Sequence, residues 1–288
     1  MKQEIDIALV KETINKIKKK YGKESIYLLS EDKEKSSLDR WKTGYSDFDD
    51  MLNGGMPKSR IIEISGNEGA GKTSICLAMS AKSSLTAFID AEGTLDEDRA
   101  NVLGVPKGKL IVEKPESGEE TCDVIVSFAK ANIPLIIVDS VPSMIPHDFL
   151  DKINKDGYES NNIAGTARLL SQKLFPVLIP ALKNSQSTII FINQMRDKIG
   201  VMFGETTFTP GGHALLHYAA VRIRVARKQW FGTKEDRIGQ LCSFKVIKSK
   251  VSAPYKECEL CLHFDKGFVT HDEMKKYIKE LKVKGEKE

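Results

Sequence analysis

The sequence predicts an α/β fold: a central, mostly parallel sheet flanked by helices, extended on one side by antiparallel strands and preceded by a helix–strand arm. Three observations predict it. Short, β-branched apolar runs alternate with helical stretches from about residue 40 onward. One strand–helix junction carries a glycine-rich phosphate loop, and further strands end in acidic or amide residues. The last three strand candidates follow one another without long helices between them, as antiparallel neighbours do.

Taken in order, residues 4–20 set Ile5, Leu9, Ile14 and Ile17 among many charges, which predicts an amphipathic helix outside the main core. Ser25-Ile26-Tyr27-Leu28-Leu29 reads as a short strand, and a polar linker closes an N-terminal segment at residue 39. Strands are expected at 60–65, 86–90, 110–113, 135–138 and 188–192, most of them apolar enough for burial on both faces. Helices are expected at about 73–83, 118–131 and 163–184. The antiparallel extension comprises 221–226, 242–248 and 257–264. The organisation is therefore 1–39 (arm and linker), 40–268 (core) and 269–288 (a short lysine-rich helix or tail).

Composition narrows the class. Of 288 residues, 41% are hydrophobic and 29% charged, an ordinary soluble balance with length enough for one large domain and small appendages. No apolar run approaches the roughly 20 residues of a membrane span, and Met1-Lys2-Gln3-Glu4 leads into no signal-peptide core. A cytoplasmic protein is expected. The five cysteines are odd in number and scattered, which suits free thiols. Cys258 and Cys261 form a C-x-x-C, but strand alternation turns the two thiols to opposite faces and no second pair completes a zinc site. The net charge of +4 is a mild pointer to an anionic partner. The lysine-dense stretches at 16–23 and 275–287 read, each alone, as solvated helix faces.

Gly66-Asn67-Glu68-Gly69-Ala70-Gly71-Lys72-Thr73 matches G-x-x-x-x-G-K-[ST] between a strand and a helix opened by Ser74. Glycines let backbone N–H groups point inward around phosphates; Lys72 reaches the β- and γ-phosphates, and the Thr73 hydroxyl suits Mg²⁺. ATP and Mg²⁺ are the expected ligands. Leu135-Ile136-Ile137-Val138-Asp139 ends an apolar strand in a carboxylate, the Walker B pattern, placing Asp139 near the metal. Phe88-Ile89-Asp90-Ala91-Glu92 sets Glu92 beside the phosphates, where it can orient the attacking water or simply lie on a surface loop. Phe191-Ile192-Asn193-Gln194 ends in an amide able to sense the γ-phosphate. All four strand ends belong on the carboxyl edge of one sheet, where open α/β folds bind ligands.

Two long loops follow, at 146–162 and 195–212. The second mixes Arg196 and Lys198 with Ile199, Gly200, Val201, Met202 and Phe203. Basic groups hold phosphates and apolar groups wedge between or stack on bases; the same composition suits a lid over the nucleotide.

The run from Phe191 to Gly204, closing at Pro210-Gly211-Gly212, resembles the second DNA-binding loop of bacterial RecA recombinases. Residues 88–92, Val138-Asp139-Ser140 and Lys245 to Pro254 carry the same resemblance, which covers about residues 5–265. It implies a RecA-like ATPase core that forms a homo-oligomeric helical filament on single-stranded DNA and exchanges strands with homologous duplex. By position it implies Glu92 as catalytic glutamate, Lys72, Thr73 and Asp139 on phosphate and Mg²⁺, and Gln194 as γ-phosphate sensor. Lys248 and Lys250 correspond to the pair that reaches the neighbouring subunit's ATP. The phosphate loop through Ser74, with Asp96 and Arg99, falls at nucleotide-contacting positions; Arg168, the 196–203 segment, Gly211 and Gly212 fall at DNA-contacting ones. The N-terminal helix and strand match the arm that docks on an adjacent protomer.

The departures are specific. Arg99 stands where the family stacks an aromatic on adenine, and a guanidinium plane can also stack. His217 replaces a phenylalanine that couples subunits; with His213 it forms an i, i+4 pair without an evident third metal ligand. The family's further C-terminal domain has no counterpart after Phe264, where Lys275, Lys276, Lys279, Lys282 and Lys284 can partly substitute by touching phosphate. Such a compact form points to a phage or mobile element. Two other readings stand beside the recombinase: a DNA-coating accessory filament without strand exchange, and a ring-forming ATPase of the same fold.

Overall fold

The computed structural model of the chain describes residues 6–22, 25–26, 38–156, 163–197 and 207–285. It divides into two compact units, Met1–Asp39 and Arg40–Glu288.

In the first unit, α1 spans Ile7–Tyr21. Asp6 caps it, its Oδ1 accepting from the backbone N–H groups of Ala8 at 2.9 Å and Leu9 at 3.2 Å. Lys18, Lys19 and Lys20 face the negative end of the helix dipole. No residue of α1 is buried, and Ile7 is 67% and Leu9 59% exposed. The amphipathic helix is therefore present, with Ile7 and Leu9 exposed and Ile14 and Ile17 half-buried. Most of the expected strand at 25–29 and of the linker lies outside the described residues.

The second unit opens with a small antiparallel pair, β1 (Arg40–Trp41) and β2 (Met56–Pro57), around α2 (Ser46–Met51). Then come β3 (Ile61–Gly66), α3 (Lys72–Ser80), β4 (Thr86–Asp90), α4 (Glu97–Val102), β5 (Leu110–Glu113), α5 (Gly118–Lys130) and β6 (Leu135–Asp139). They are followed by α6 (His147–Asp156), α7 (Ile163–Arg168), a π-helical turn (Leu169–Leu174), α8 (Phe175–Lys183) and β7 (Thr188–Gln194). The chain continues through a short hairpin, β8 (Arg196–Asp197) with β9 (Thr207–Phe208), and α9 (Gly212–Tyr218). It ends with β10 (Val221–Gly232), β11 (Arg237–Ser249), β12 (Glu257–His263), β13 (Gly267–Val269) and α10 (His271–Gly285).

Nine strands form one sheet in the order β13-β12-β11-β10-β3-β7-β6-β4-β5. From β5 across to β10 every pairing is parallel; from β10 to β13 every pairing is antiparallel. This is the predicted mixed architecture. The core lies on both faces, because neighbouring strand residues alternate sides. Ile62, Ile64, Ile137, Ile190 and Ile192 pack with α3 on one face. Ile61, Ile136, Val138, Ile189 and Phe191 pack with α5 and α8 on the other. Cys258 joins the first of these clusters, while Cys261 joins a small one with Met274 of α10, so the C-x-x-C thiols do part company. Among the described residues no cluster of three or more His, Cys, Asp or Glu suits a metal, and no helix is long and apolar enough to cross a membrane.

The structure amends the sequence reading in three places. The expected loop at 146–162 contains α6; Phe149, Leu150 and Ile153 already carry the helical spacing that its polar residues masked. The single helix expected at 163–184 is interrupted by the π turn. Pro176 lacks an N–H and its ring clashes with the carbonyl four residues back, and a wider turn accommodates both. Between Phe264 and the C-terminal helix the three residues of β13 add an edge strand too short to show a period.

Candidate nucleotide site

The phosphate loop is shaped by close packing. Gly66 ends β3 so near to β10 that a Cβ there would meet the Val225 carbonyl oxygen at 2.2 Å. Gly71, at φ +100°, turns the chain into α3, and a Cβ on it would meet Cys242 Sγ at 3.0 Å. Asn67, Glu68 and Gly69 are exposed and Ala70 is buried, so the loop wraps over the start of α3. Lys72, Thr73 and Ser74 form that first turn, whose N–H groups have no intrahelical partners and favour an anion. Lys72 is buried and donates from Nζ to the Asn67 carbonyl at 2.9 Å. Burial lowers its pKa, and Asp139 and Glu92 oppose that shift.

Parallel register brings the other strand ends alongside. Gly66 is level with Gln194, and Asp90 with Asp139. The Thr73 hydroxyl donates to Asp139 Oδ2 at 2.6 Å. Burial pushes the Asp139 carboxyl up to about 6, with Glu92 adding to the rise and Thr73 and Lys72 opposing it. Two hard oxygens converging beside an anion cradle have the chemistry of a magnesium–nucleotide site. Of the two acids at the end of β4, Asp90 turns back, accepting from the N–H groups of Thr94 at 3.0 Å and Leu95 at 3.1 Å. Glu92 instead accepts from the Ser140 hydroxyl and, at 3.0 Å, from Gln194 Nε2, both through Oε1.

The second loop leaves this site directly. Arg196 lies exposed on β8, opposite Phe208. Gly211, at φ +92°, and Gly212 bring the chain back into α9; a Cβ on Gly211 would meet Val141 at 2.9 Å and Leu170 at 3.0 Å. Lys198, Ile199, Gly200, Val201, Met202 and Phe203 lie outside the described residues. Arg168 ends α7, 3.8 Å from Asp148.

The RecA N-terminal domain family matches residues 8–269. Protein RecA of Mycoplasma mobile is 37% identical over 280 residues, 95% of this chain and 83% of its own length. Protein RecA of Mycoplasmopsis pulmonis is 39% identical over 264 residues, 90% and 76% of the two chains. Protein RecA of Leptospira biflexa is 39% identical over 273 residues, 92% and 68%. The chain belongs to the RecA family.

In this RecA family member a cavity of about 330 Å³ adjoins the phosphate loop, running from Gly69, Lys72 and Thr73 to Arg99, Trp230 and Phe264. Asp96 caps α4, accepting from the N–H groups of Asp98 and Arg99, and so aims the helix that carries Arg99. The Arg99 guanidinium donates to the Phe264 carbonyl. Trp230, Arg227 and Gln240 were not foreseen. They belong to the part of the β10–β11 hairpin that overhangs β3: β10 pairs with β3 only from Val221 to Val225 and runs on to Gly232. Gln240 Nε2 donates to the Gly69 carbonyl at 3.0 Å. The guanidinium carbons of Arg227 and Arg237 lie 4.1 and 4.2 Å from the centre of the Trp230 ring. The interleaved basic and aromatic residues at 227–237 were visible in the sequence; that they fold over the phosphate loop was not.

Lys248 and Lys250 do not join this chain's own phosphate loop. Lys248 is level with Arg222, which is level with Glu63, three residues and about 10 Å back along β3 from Gly66. Lys248 Nζ donates to the Leu216 and His217 carbonyls, and Lys250 Nζ to the His217 carbonyl at 2.6 Å, so both sit at the C-terminal end of α9. The His213 and His217 rings are 6.3 Å apart, with no third metal ligand among the described residues.

Proposed function

We propose that this RecA family member is an ATP-dependent recombinase that coats single-stranded DNA as a helical filament and exchanges strands with homologous duplex. It is a DNA-dependent ATPase, yielding ADP and phosphate. The observation that carries the coupling is the Gln194–Glu92 hydrogen bond, which joins the hydrolytic site to the first residues of the second loop.

The phosphates rest on the backbone N–H groups of residues 66–74, with Lys72 on the β- and γ-phosphates. Thr73 and Asp139 would hold Mg²⁺, which neutralises phosphate charge. Glu92, oriented by Ser140, takes the proton of the attacking water. When a γ-phosphate is present, the Gln194 amide turns to it from Glu92, freeing the carboxylate and shifting the chain at Met195 and Arg196. The base lies toward Arg99, on the helix that Asp96 caps.

On the DNA side, Arg168, Arg196, Lys198 and the backbone at Gly211 and Gly212 meet phosphate. Ile199, Gly200, Val201, Met202 and Phe203 enter between bases. In the filament, residues 1–39 dock on the next subunit through the apolar face of α1. Lys248 and Lys250 reach the neighbour's ATP. In the tail, 269–288, Lys275, Lys276 and Lys279 add contacts to duplex phosphate. The protein works in the cytoplasm, where its five free thiols stay reduced.

Two measurements test the reading. ATP turnover should rise on adding single-stranded DNA; no rise overturns it. Homologous duplex should yield joint molecules and heterologous duplex none; absence of homologous product would leave a DNA-coating ATPase.

A further inference from the structure

A fully buried carboxylate lies beneath the root of the second loop. Glu63 on β3 has no solvent exposure. Its Oε2 accepts from Arg222 Nε on β10, and its Oε1 accepts from Asn193 Nδ2 on β7 at 2.9 Å. A buried ion pair is seldom better for stability than well-packed apolar groups of the same shape, so stability alone gives it no reason to exist. What it does is orient an amide. Only the NH₂ side of Asn193 can face a carboxylate, which leaves its Oδ1 for the backbone N–H of Gln194 at 3.1 Å. The second proton of the same NH₂ goes to the Pro210 carbonyl at 2.9 Å, where the second loop returns to the core. Gly211 follows at once, wedged against Val141 and Leu170, so the returning end has no slack.

We propose that Asn193 is a positioning residue that latches the returning end of the 195–212 loop to the sheet, with Glu63 and Arg222 fixing the amide that does so. Gln194, next in sequence, reports the state of the phosphate site. With Asn193 holding Pro210, a shift at Gln194 is passed to both ends of the loop together. Without the Pro210 bond, one end moves and the other relaxes. This inference rests on the DNA-binding reading of the loop.

The test pairs Asn193→Asp with Glu63→Gln. In the double variant the amide introduced at position 63 donates to the carboxylate introduced at position 193 and accepts from Arg222. Positions 63, 193 and 222 again satisfy one another, but position 193 has no donor for the Pro210 carbonyl, which instead faces a carboxylate oxygen. The double variant is expected to melt above Asn193→Asp alone, short of wild type only by the lost Pro210 bond, and to bind a fluorescent ATP analogue without DNA within about twofold of wild type. Stimulation of its turnover by single-stranded DNA should fall about tenfold, the factor one net hydrogen bond supplies. Asn193→Asp alone, which sets two carboxylates together, should lose stability as well. Full DNA stimulation in the double variant overturns the latch, and so does a loss of nucleotide affinity that accompanies the loss of stimulation. A wild-type protein that DNA does not stimulate overturns the functional reading instead.

Discussion

Gln194 reaches over β6 to Glu92, its Nε2 donating to Oε1 at 3.0 Å, so the strand that opens the second loop is tied to the carboxylate we propose as the base for water. Each partner then has a separable role. Glu92→Gln keeps the hydrogen-bonded geometry but removes the base, and turnover should fall by about 10²- to 10⁴-fold. Its affinity for a fluorescent ATP analogue should be unchanged. Gln194→Ala should keep DNA-independent turnover and lose DNA stimulation. Single-turnover hydrolysis with and without DNA separates the two, and equal loss in both variants would dissolve the distinction.

Asp139 makes the site pH-sensitive in a stated direction. Burial holds its carboxyl up to about 6 in the folded protein, against 3.8 ordinarily. The native state therefore keeps a proton that the unfolded chain has released. Nucleotide-free stability should be greatest below pH 4 as far as this group is concerned, and its contribution should be lost as pH rises through 6. Magnesium needs the carboxylate, so magnesium–nucleotide binding should weaken as pH falls through 6 and should release a proton near that pH. Asp139→Asn should abolish the proton release, read by calorimetry in buffers of different ionisation heat. It should also be more stable than wild type at pH 7, by on the order of 1–3 kcal/mol in unfolding free energy.

How much of this was legible follows from how local each feature is. The phosphate loop could be read because its glycines, lysine and threonine are contiguous and its strand and helix adjoin it. Asp139 and Gln194 could be read because each ends an apolar run. The sequence also marked Glu92, and the structure supplies the physical difference from Asp90, whose carboxylate closes its own loop. Gln240 meets Gly69 across 171 positions and Asn193 meets Pro210 across 17, and no periodicity records such pairings. The overhang of the β10–β11 hairpin is invisible for the same reason: alternation tells which face a residue takes, not which loop that face covers. The π turn was missed because two prolines in an apolar helix can equally well be absorbed by a kink.

Trp230 offers a direct reading of nucleotide binding. It is one of two tryptophans, the other being Trp41, and it lines the same cavity as Lys72 and Arg99. In a Trp41→Phe background its emission should change when an ATP analogue binds, and Lys72→Ala should abolish the change. Arg99→Ala should raise KM for ATP by roughly 5- to 30-fold, the worth of about 1–2 kcal/mol of guanidinium stacking, with kcat at saturation retained. An unaltered KM would remove Arg99 from the base site.

Lys248 and Lys250 permit the sharpest test of the assembly. Within one chain both donate to carbonyls at the end of α9, and Lys248 is level with Glu63, about 10 Å back from Gly66 along β3. Replacing both with alanine should cost only the favourable interaction with a helix C-terminus, about 0.3–1 kcal/mol for each lysine, so the variant should fold. If the lysines serve the neighbour's nucleotide, it should nevertheless lose DNA-dependent turnover. Lys72→Ala should lose it too, for lack of the phosphate lysine. Each variant keeps what the other lacks. In a head-to-tail filament mixed from equal amounts of the two, roughly one interface in four joins an intact phosphate loop to intact lysines. Turnover should therefore return to about a quarter of wild type on mixing. Lysines acting within their own subunit could never be supplied by a partner, and the mixture would then remain as inactive as its components.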